Sequence, residues 1–423
     1  MEIENEQYKI QDLGLDQLAE KFGTPLFIYD AESIKQKYEL LDRSIQFQNK
    51  RINYACKALN NVNILRYIRS LGAGLDTVSI QEVQLGLHAG FLPDEIIFTP
   101  NCVSFDEIVQ AVELGVRINI DNLSILEQFG HRYGNSYPVC IRLNPHIMAG
   151  GNHKISVGHI DSKFGISIHQ MRHLERIIEA CNIHVNGLHM HTGSDILNID
   201  AFTSAVEILL DSARHFNTLD FIDFGSGFKV PYKPDEVSTD IKDFGSRMSS
   251  LFADFCQSYG RDLRMEFEPG KFLVSESGTF IAEVNVLKQT PATVFAGVNT
   301  GFNHFIRPML YDAYHQIINI SNPSGKPRIY TVVGYICETD TFGWDRQISE
   351  ISEGDLLAFK NAGAYVSTMS SNYNSRLKPA ELLILNGQTH LITKRQEFED
   401  LLRDQVEISM DSFESITREA LLS

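Results

Sequence analysis

The sequence predicts a (β/α)8 barrel of the TIM type followed by a mostly antiparallel β domain. Strand-like apolar runs begin at residue 52 and recur at intervals of about 22 residues, with helical patterns between them. After about residue 280 short strand candidates follow one another without helices, joined by turn signals such as Asn386-Gly387. The 423 residues are enough for two domains that each have a core of their own.

Eight runs make up the predicted barrel. They are INYACK (52–57), LDTVS (75–79), EIIFTP (95–100), RINI (117–120), VCIRLNP (139–145), VNGLHMHTG (185–193), FIDFGSGF (221–228) and RMEFEPG (264–270). Amphipathic segments such as SIQEVQLGLHAG and FDEIVQAVELG separate them, which is typical of βα units around a parallel sheet. Eight strands favour a closed barrel, and an open doubly wound sheet is the alternative.

The composition argues against several classes of function. A net charge of −17 without a basic patch argues against a nucleic-acid partner. The start, MEIENEQYK, lacks the apolar centre of a secretory signal, and no apolar run is long enough to cross a bilayer. Six cysteines without CxxC spacing suit reduced thiols in the cytosol. We therefore expect a cytoplasmic enzyme that acts on a small molecule, with no membrane partner.

A lysine at the end of the first run is the most unusual feature. Lys57 follows the apolar residues of INYAC, and burial in apolar company lowers the pKa of an amine, so we expect a usable neutral fraction near pH 7. His191, the glycine segment 225–227 and Glu268 also fall at the ends of runs. In a barrel these ends meet on one face, where active sites form.

Two types of chemistry fit this set. His189 and His191 are two apart and share one face of a strand, which suggests a metal-dependent hydrolase as an alternative. The remaining ligands would have to come from other strand ends, where Glu268 is the clearest carboxylate. We therefore favour a site without metal. A lysine, a carboxylate, an imidazole and small-residue turns are together what pyridoxal phosphate requires for its aldehyde, ring nitrogen, ring face and phosphate.

Several motifs together resemble the diaminopimelate decarboxylases. These enzymes are pyridoxal-phosphate proteins with an alanine-racemase-like barrel, a group that also includes ornithine and arginine decarboxylases. The resemblance runs from about residue 24 to about residue 390. The motifs are YACKALNN, KFGI, HMHTGSD, DFGSGF, EPGKFLV, IRPMLYDAYH, CETDTF and SSNYNSRLKPAELL.

The resemblance implies a role for each matching residue. It assigns covalent cofactor attachment to Lys57, ring stacking to His191, phosphate binding to Ser194, Gly227 and Gly270, the ring nitrogen to Glu268, and further cofactor and substrate contact to Tyr373. It also implies a barrel over residues 30–280 and a β domain built from 1–29 and 281–423. The resemblance also implies a homodimer with shared active sites, in which Cys337 and Glu338 would reach the neighbouring subunit's site. Cys337 or a nearby group would return a proton to the product.

The implied reaction is decarboxylation of meso-2,6-diaminopimelate to L-lysine and CO2, the last step of lysine biosynthesis. Arg307 and Tyr311 would bind the distal carboxylate of this amino-acid substrate, which arginine recognises in a bidentate manner. Glu338 would bind the distal amine, and Lys271 would add a further substrate contact. A decarboxylase of carboxynorspermidine, ornithine or arginine is the alternative within this fold, and an inactive regulatory homologue is another.

Several positions depart from the family pattern. Lys271 replaces a usual arginine, Asp195 replaces a common glutamine, and Ser226 lies inside a usual glycine triplet. CETDT also differs from the more usual CESGD. These departures concern the substrate more than the cofactor, since serine offers the same backbone N–H as glycine. The glycines of segment 150–159 suggest a lid over the site, with a plain surface loop as the alternative.

Overall fold

The computed structural model describes residues 1–4, 6–147 and 162–408. The segment 150–159, for which the sequence suggests a lid, lies outside these residues. At the N-terminus β1 (Glu2–Glu4), β2 (Gln7–Ile10) and β3 (Leu13–Gly14) form a small antiparallel sheet. They are followed by α1 (Leu15–Phe22), β4 (Leu26–Asp30) and α2 (Ala31–Ser44).

Eight parallel strands then close into a barrel. The strands are β5 (Lys50–Ala55), β6 (Gly74–Thr77), β7 (Ile96–Phe98), β8 (Arg117–Ile120), β9 (Val139–Asn144), β11 (Val185–His189), β12 (Phe221–Asp223) and β13 (Arg264–Phe267), and β10 (Ile166–Ser167) adds a short parallel pair beside β9. Each strand pairs with the next, and β13 returns to pair with β5. This closure confirms the predicted barrel and rules out the open doubly wound sheet.

Helices connect the barrel strands on the outside. They are α3 (Val62–Ser70), α4 (Ile80–Ala89), α5 (Phe105–Glu113), α6 (Leu123–Tyr133), α7 (Met171–Cys181), α8 (Ile199–Ala213), α9 (Ile241–Tyr259) and α10 (Lys271–Val274). Each apolar face packs on the strands; in α9, for example, Phe244, Met248 and Phe252 recur every four residues and are fully buried. None of the helices in the described residues is long and apolar enough to span a bilayer.

The polar network inside the barrel lies toward the strands' amino ends, away from the predicted site. Glu266 of β13 is fully buried and accepts hydrogen bonds from Arg117, Arg264 and Asn53 at 2.7 to 2.9 Å. The two arginines hold the pKa of Glu266 below its ordinary value despite its burial. A buried charge needs such partners, and we assign this network to stability rather than to chemistry.

The second domain is built on a larger sheet in the strand order β18-β17-β15-β14-β4-β20-β21, with β19 between β14 and β16. Its strands are β14 (Gly278–Gln289), β15 (Val294–Val298), β16 (Ile317–Asn319), β17 (Pro327–Val333), β18 (Thr341–Ser349), β19 (Leu356–Phe359), β20 (Ala380–Leu385) and β21 (Gln388–Thr393). Two short helices, α11 (Arg307–Tyr311) and α12 (Phe398–Leu402), complete it. Most pairs are antiparallel, as predicted, and β4–β20 and β15–β17 are parallel.

Candidate active site

A cavity of about 960 Å³ opens at the carboxyl ends of the barrel strands, and residues of the β domain form one of its walls. Nine of the twelve residues that the sequence proposed for the site line this cavity: Lys57, His191, Ser194, Gly227, Glu268, Gly270, Lys271, Arg307 and Tyr311. The barrel topology brings them together from segments that lie far apart in the chain.

Lys57 lies in a short 3-10 helix, Cys56–Ala58, directly after β5. Its side chain is open to the cavity, while the barrel surrounds it on all other sides. Burial is the largest influence and lowers the pKa of this amine, but Tyr365, Asp76 and Glu268 together outweigh burial and raise the pKa above its ordinary value. The expected lowering of the pKa is therefore wrong, because distant segments of the chain place a tyrosine and two carboxyl groups around the amine.

Glu268 follows β13 and is only 8% exposed. Its Oε2 lies 2.9 Å from Nε2 of His189, the last residue of β11. Its Oε1 has no hydrogen-bond partner among the residues that the structure describes. Burial, followed by the nearby Asp76, raises the pKa of Glu268 well above its ordinary value. An unsatisfied buried oxygen is costly, so Oε1 is well suited to bond a ligand nitrogen.

His191 presents a neutral imidazole to the same cavity. The backbone N–H of Ser226 donates to its Nδ1 at 3.3 Å. Burial, followed by the positive charges of Arg142 and Lys57, lowers the pKa of His191 well below its ordinary value. Because Nδ1 accepts a hydrogen bond, the single ring proton lies on Nε2. A neutral ring held in this way is suited to stack on a flat aromatic ligand.

Glycines shape two loops of the cavity. Gly227 has φ of +139°, and a Cβ there would lie 2.0 Å from the carbonyl oxygen of Gly193. At Gly270 a Cβ would meet Ala55 and Ala58 at 3.1 and 3.2 Å. Only glycine permits the backbone conformation at position 227 and the close approach of the loop of Gly193. Such loops have backbone N–H groups, which are the donors that a phosphate group needs.

Arg307, at the start of α11, is a buried guanidinium in the wall that the β domain provides. Its Nε–H donates to Nε2 of His315 at 3.3 Å, and Nδ1–H of His315 donates to the carbonyl of Lys360 at 2.9 Å. Burial lowers the pKa of His315 to about 3, so this imidazole is neutral. Within the described residues Arg307 has no carboxylate partner. Its terminal amino groups therefore remain available to an anionic ligand.

Lys271 and Asp195 form an ion pair at the cavity wall, with side chains 12% and 26% exposed. These are two of the positions that depart from the family pattern, and they contact each other. The amine of Lys271 is thus already neutralised by a carboxylate of the chain, whereas Arg307 is not. We conclude that Lys271 offers a weaker site for a substrate anion than Arg307 does.

Three of the proposed residues lie outside the cavity of their own chain: Cys337, Glu338 and Tyr373. They lie together on the surface, where the Tyr373 hydroxyl donates to Glu338 at 2.5 Å and Nδ2 of Asn374 lies 3.3 Å from Sγ of Cys337. Tyr365, earlier in the same connection as Tyr373, does line the cavity.

The residues that line the cavity and were left out by the sequence interpretation include Asp76, Arg142, Arg346 and Tyr365. Asp76 and Arg142 each stand inside an apolar strand run, and a charge in such a run was a usable signal. Tyr365 lies in a loop, where its backbone N–H donates to the carbonyl of Ala58 beside Lys57. Nothing local in the sequence marks that long-range contact.

The two histidines considered for a metal have separate environments. Ligand atoms of His189, Asp223 and Glu268 lie within 4.8 Å of one another, and His191 is not part of this group. Asp223 also accepts a hydrogen bond from the backbone N–H of Gly225 at 2.8 Å. The paired use of His189 and His191 as metal ligands is therefore not supported by their positions.

Comparison with known proteins identifies the family. A family model described as "Pyridoxal-dependent decarboxylase, pyridoxal binding domain" matches residues 31–275. The diaminopimelate decarboxylase of Methanothermobacter thermautotrophicus is 38% identical over 399 residues, which cover 92% of this chain and 93% of that protein. The chain belongs to the diaminopimelate decarboxylases. That of Haemophilus influenzae is 33% identical, with 92% and 95% of the two chains covered.

Solved structures of diaminopimelate decarboxylases share this fold. The Helicobacter pylori enzyme complexed with L-lysine superimposes with a TM-score of 0.83 at 32% identity, covering 92% of this chain and 98% of that one. The M. jannaschii enzyme in co-complex with L-lysine gives a TM-score of 0.88 at 28% identity, covering 96% and 98%. As in other diaminopimelate decarboxylases, the cofactor is pyridoxal phosphate, which confirms the prediction from the residues at the strand ends.

Proposed function

We propose that this chain removes one carboxyl group of meso-2,6-diaminopimelate as CO2 and releases L-lysine, and that residues of the cavity bind the cofactor and the substrate. The observation that carries the substrate assignment is a buried arginine that has no carboxylate partner within the described part of the chain. Arg307 lines the same cavity as Lys57, about 960 Å³ in volume. A substrate with a carboxylate at each end supplies one group for reaction and one for this guanidinium.

The cavity fits pyridoxal phosphate. Lys57 would bind its aldehyde, the unpartnered Oε1 of Glu268 would bond its ring nitrogen, and His191 would stack on the ring. The loops of Gly227 and Gly270 would hold the phosphate. When bound, pyridoxal phosphate serves as the electron sink that accepts the electron pair left by the departing carboxylate.

Arg307 orients the substrate through the carboxylate that does not react. The aromatic rings of Tyr311 and Tyr232 lie 5.9 and 5.3 Å from its guanidinium carbon and limit its movement. An ornithine-type substrate has an ammonium at its distal end, and the positive charge of Arg307 would repel it. This difference favours diaminopimelate over basic amino acids. The charge-neutral pair Lys271–Asp195 leaves the main anchoring role to Arg307.

Cys337 and Glu338 act, in our proposal, in the cavity of a second copy of the chain. Both are exposed and lie outside the cavity of their own chain, together with Tyr373. In a homodimer Glu338 would receive the distal ammonium, and the thiol of Cys337 would return a proton to the product. We expect Cys337→Ala to lower kcat far more than it raises KM, since it removes a group used after substrate binding.

Mixed dimers test this arrangement. Lys57→Ala and Cys337→Ala chains, each inactive alone, are mixed and allowed to exchange subunits. If Cys337 acts across the interface, a mixed dimer contains one complete site, and random mixing restores about a quarter of wild-type activity. If both residues act within one chain, no site is complete and no activity returns. A mixture of Lys57→Ala with Lys57→Arg is the matched control, because both variants lack the same group.

We further propose that the enzyme works in the cytoplasm as part of lysine biosynthesis. All six cysteines are free thiols, which supports a reducing compartment. The L-lysine complexes of related enzymes support lysine as the product.

A further inference from the structure

His189 is a buried histidine that the proposed mechanism does not use. It is the last residue of β11, fully buried, and its Nε2 lies 2.9 Å from Oε2 of Glu268. Within the described residues its Nδ1 has no hydrogen-bond partner, and neither has Oε1 of Glu268. The pair thus makes one internal hydrogen bond, and one polar atom at each end has no partner in the described ranges of the chain.

The protonation state of the pair follows from its surroundings. Burial lowers the pKa of His189 to about 4, so the imidazole is neutral at pH 7 and has a single N–H. Burial, followed by the nearby Asp76, raises the pKa of Glu268 despite the positive charges of Arg142 and Lys57, which favours the protonated carboxyl group. If the imidazole proton is on Nε2, it bonds Oε2, and the carboxyl proton must lie on Oε1. The alternative tautomer would place an N–H at Nδ1, for which the residues that the structure describes provide no acceptor.

We propose that His189 is a positioning residue that donates its Nε2–H to Oε2 of Glu268 and so makes Oε1 the atom that exchanges a proton with the cofactor's ring nitrogen. This inference rests on the proposed pairing of Glu268 with that nitrogen. The protons would balance, because the proton that Oε1 gives up would be the one gained by the ring nitrogen, and the carboxyl group would become a carboxylate. The hydrogen bond from His189 then stabilises the negative charge, since hydrogen bonds to ionised acceptors are stronger.

Other charged groups face the pair from neighbouring strands and contribute to any pH dependence. They are Lys57, Asp76, Arg142, His191, Asp223 and Glu266. These groups remain unchanged in variants at position 189, so a difference between two such variants reports the hydrogen bond itself.

The test compares two variants of the holoenzyme, His189→Leu and His189→Gln. Glutamine can donate an N–H at the position of Nε2, whereas leucine cannot. For His189→Leu we expect a Kd for pyridoxal phosphate raised about tenfold and a bound-cofactor absorption spectrum that gains a pH transition. For His189→Gln we expect most of both properties to be retained. Equal effects of the two variants, or a native spectrum and Kd in His189→Leu, would overturn the proposal.

Glu268→Gln separates this inference from the proposed function. A native cofactor spectrum in Glu268→Gln would reject the pairing of Glu268 with the ring nitrogen. If the spectrum is altered in Glu268→Gln but native in His189→Leu, only the role of His189 is rejected. If His189→Leu does not fold, nitrogen NMR of wild-type enzyme labelled at histidine decides. We expect the proton of His189 on Nε2, with and without cofactor, and a proton on Nδ1 of the loaded enzyme would contradict the inference.

Discussion

Replacing Arg307 by methionine separates substrate recognition from the remainder of the site. Methionine keeps a long side chain and removes the charge. A charge-assisted hydrogen bond contributes about 1.5–3 kcal/mol, so loss of a two-bonded carboxylate contact costs about 3 kcal/mol, or a factor of about 150 in kcat/KM. Because the distal carboxylate binds equally in the substrate and in the transition state, the loss should fall mainly on KM.

The folded protein should tolerate this change. Arg307 has no carboxylate partner in the described residues, so methionine removes a buried charge together with the hydrogen bond to His315 and the contacts with aromatic rings. We expect the free energy of unfolding to change by less than about 1 kcal/mol. Steady-state kinetics with meso-diaminopimelate and urea unfolding give both values. Arg328→Met, at a side chain 60% exposed, is the control. A KM within threefold of wild type would refute Arg307 as the anchor.

Three further predictions follow from the cavity and its surroundings. Gly227→Ala should raise the Kd for pyridoxal phosphate at least about tenfold in a spectroscopic titration, because the new Cβ would lie 2.0 Å from a carbonyl oxygen at a φ of +139°. Asp195→Gln and Lys271→Arg should be non-additive in kcat/KM, with a coupling of about 0.5–3 kcal/mol in a double-mutant cycle, and additive effects would show that the ion pair is irrelevant to catalysis. Glu82→Gln should stabilise the protein at pH 8 by roughly 2 kcal/mol and leave its stability unchanged at pH 4. Burial raises the folded-state pKa of Glu82 to about 7, so the wild-type protein loses stability as the pH rises from about 4.5 to 7. Equal effects of the substitution at both pH values in urea unfolding would contradict this.

The barrel was predictable because its signal is local and repeated. Each strand is buried on both faces and therefore apolar, and the βα unit sets the interval between strands. The position of the site followed from the same topology, since the ends of parallel strands meet on one face. Lys57, His191 and Glu268 were found in this way from single segments of sequence.

Long-range contacts were not predictable from the sequence. The pKa of Lys57 is raised because Tyr365, Asp76 and Glu268 face it from distant segments, whereas its own neighbours in sequence are apolar. Tyr365 lines the cavity and makes a backbone hydrogen bond to Ala58, more than 300 positions earlier in the sequence. The parallel pairs of the β domain likewise join segments far apart in the chain, such as β4 and β20.

The most direct test of the central claim is product analysis of the purified enzyme with pyridoxal phosphate. Meso-diaminopimelate, L-ornithine, L-arginine and carboxynorspermidine are supplied separately, and CO2 and the amine products are measured. We predict L-lysine and CO2 in equal amounts from meso-diaminopimelate, and no turnover of the other three. CO2 from ornithine, arginine or carboxynorspermidine, without L-lysine from diaminopimelate, would contradict the assignment of Arg307 as the anchor of a distal carboxylate.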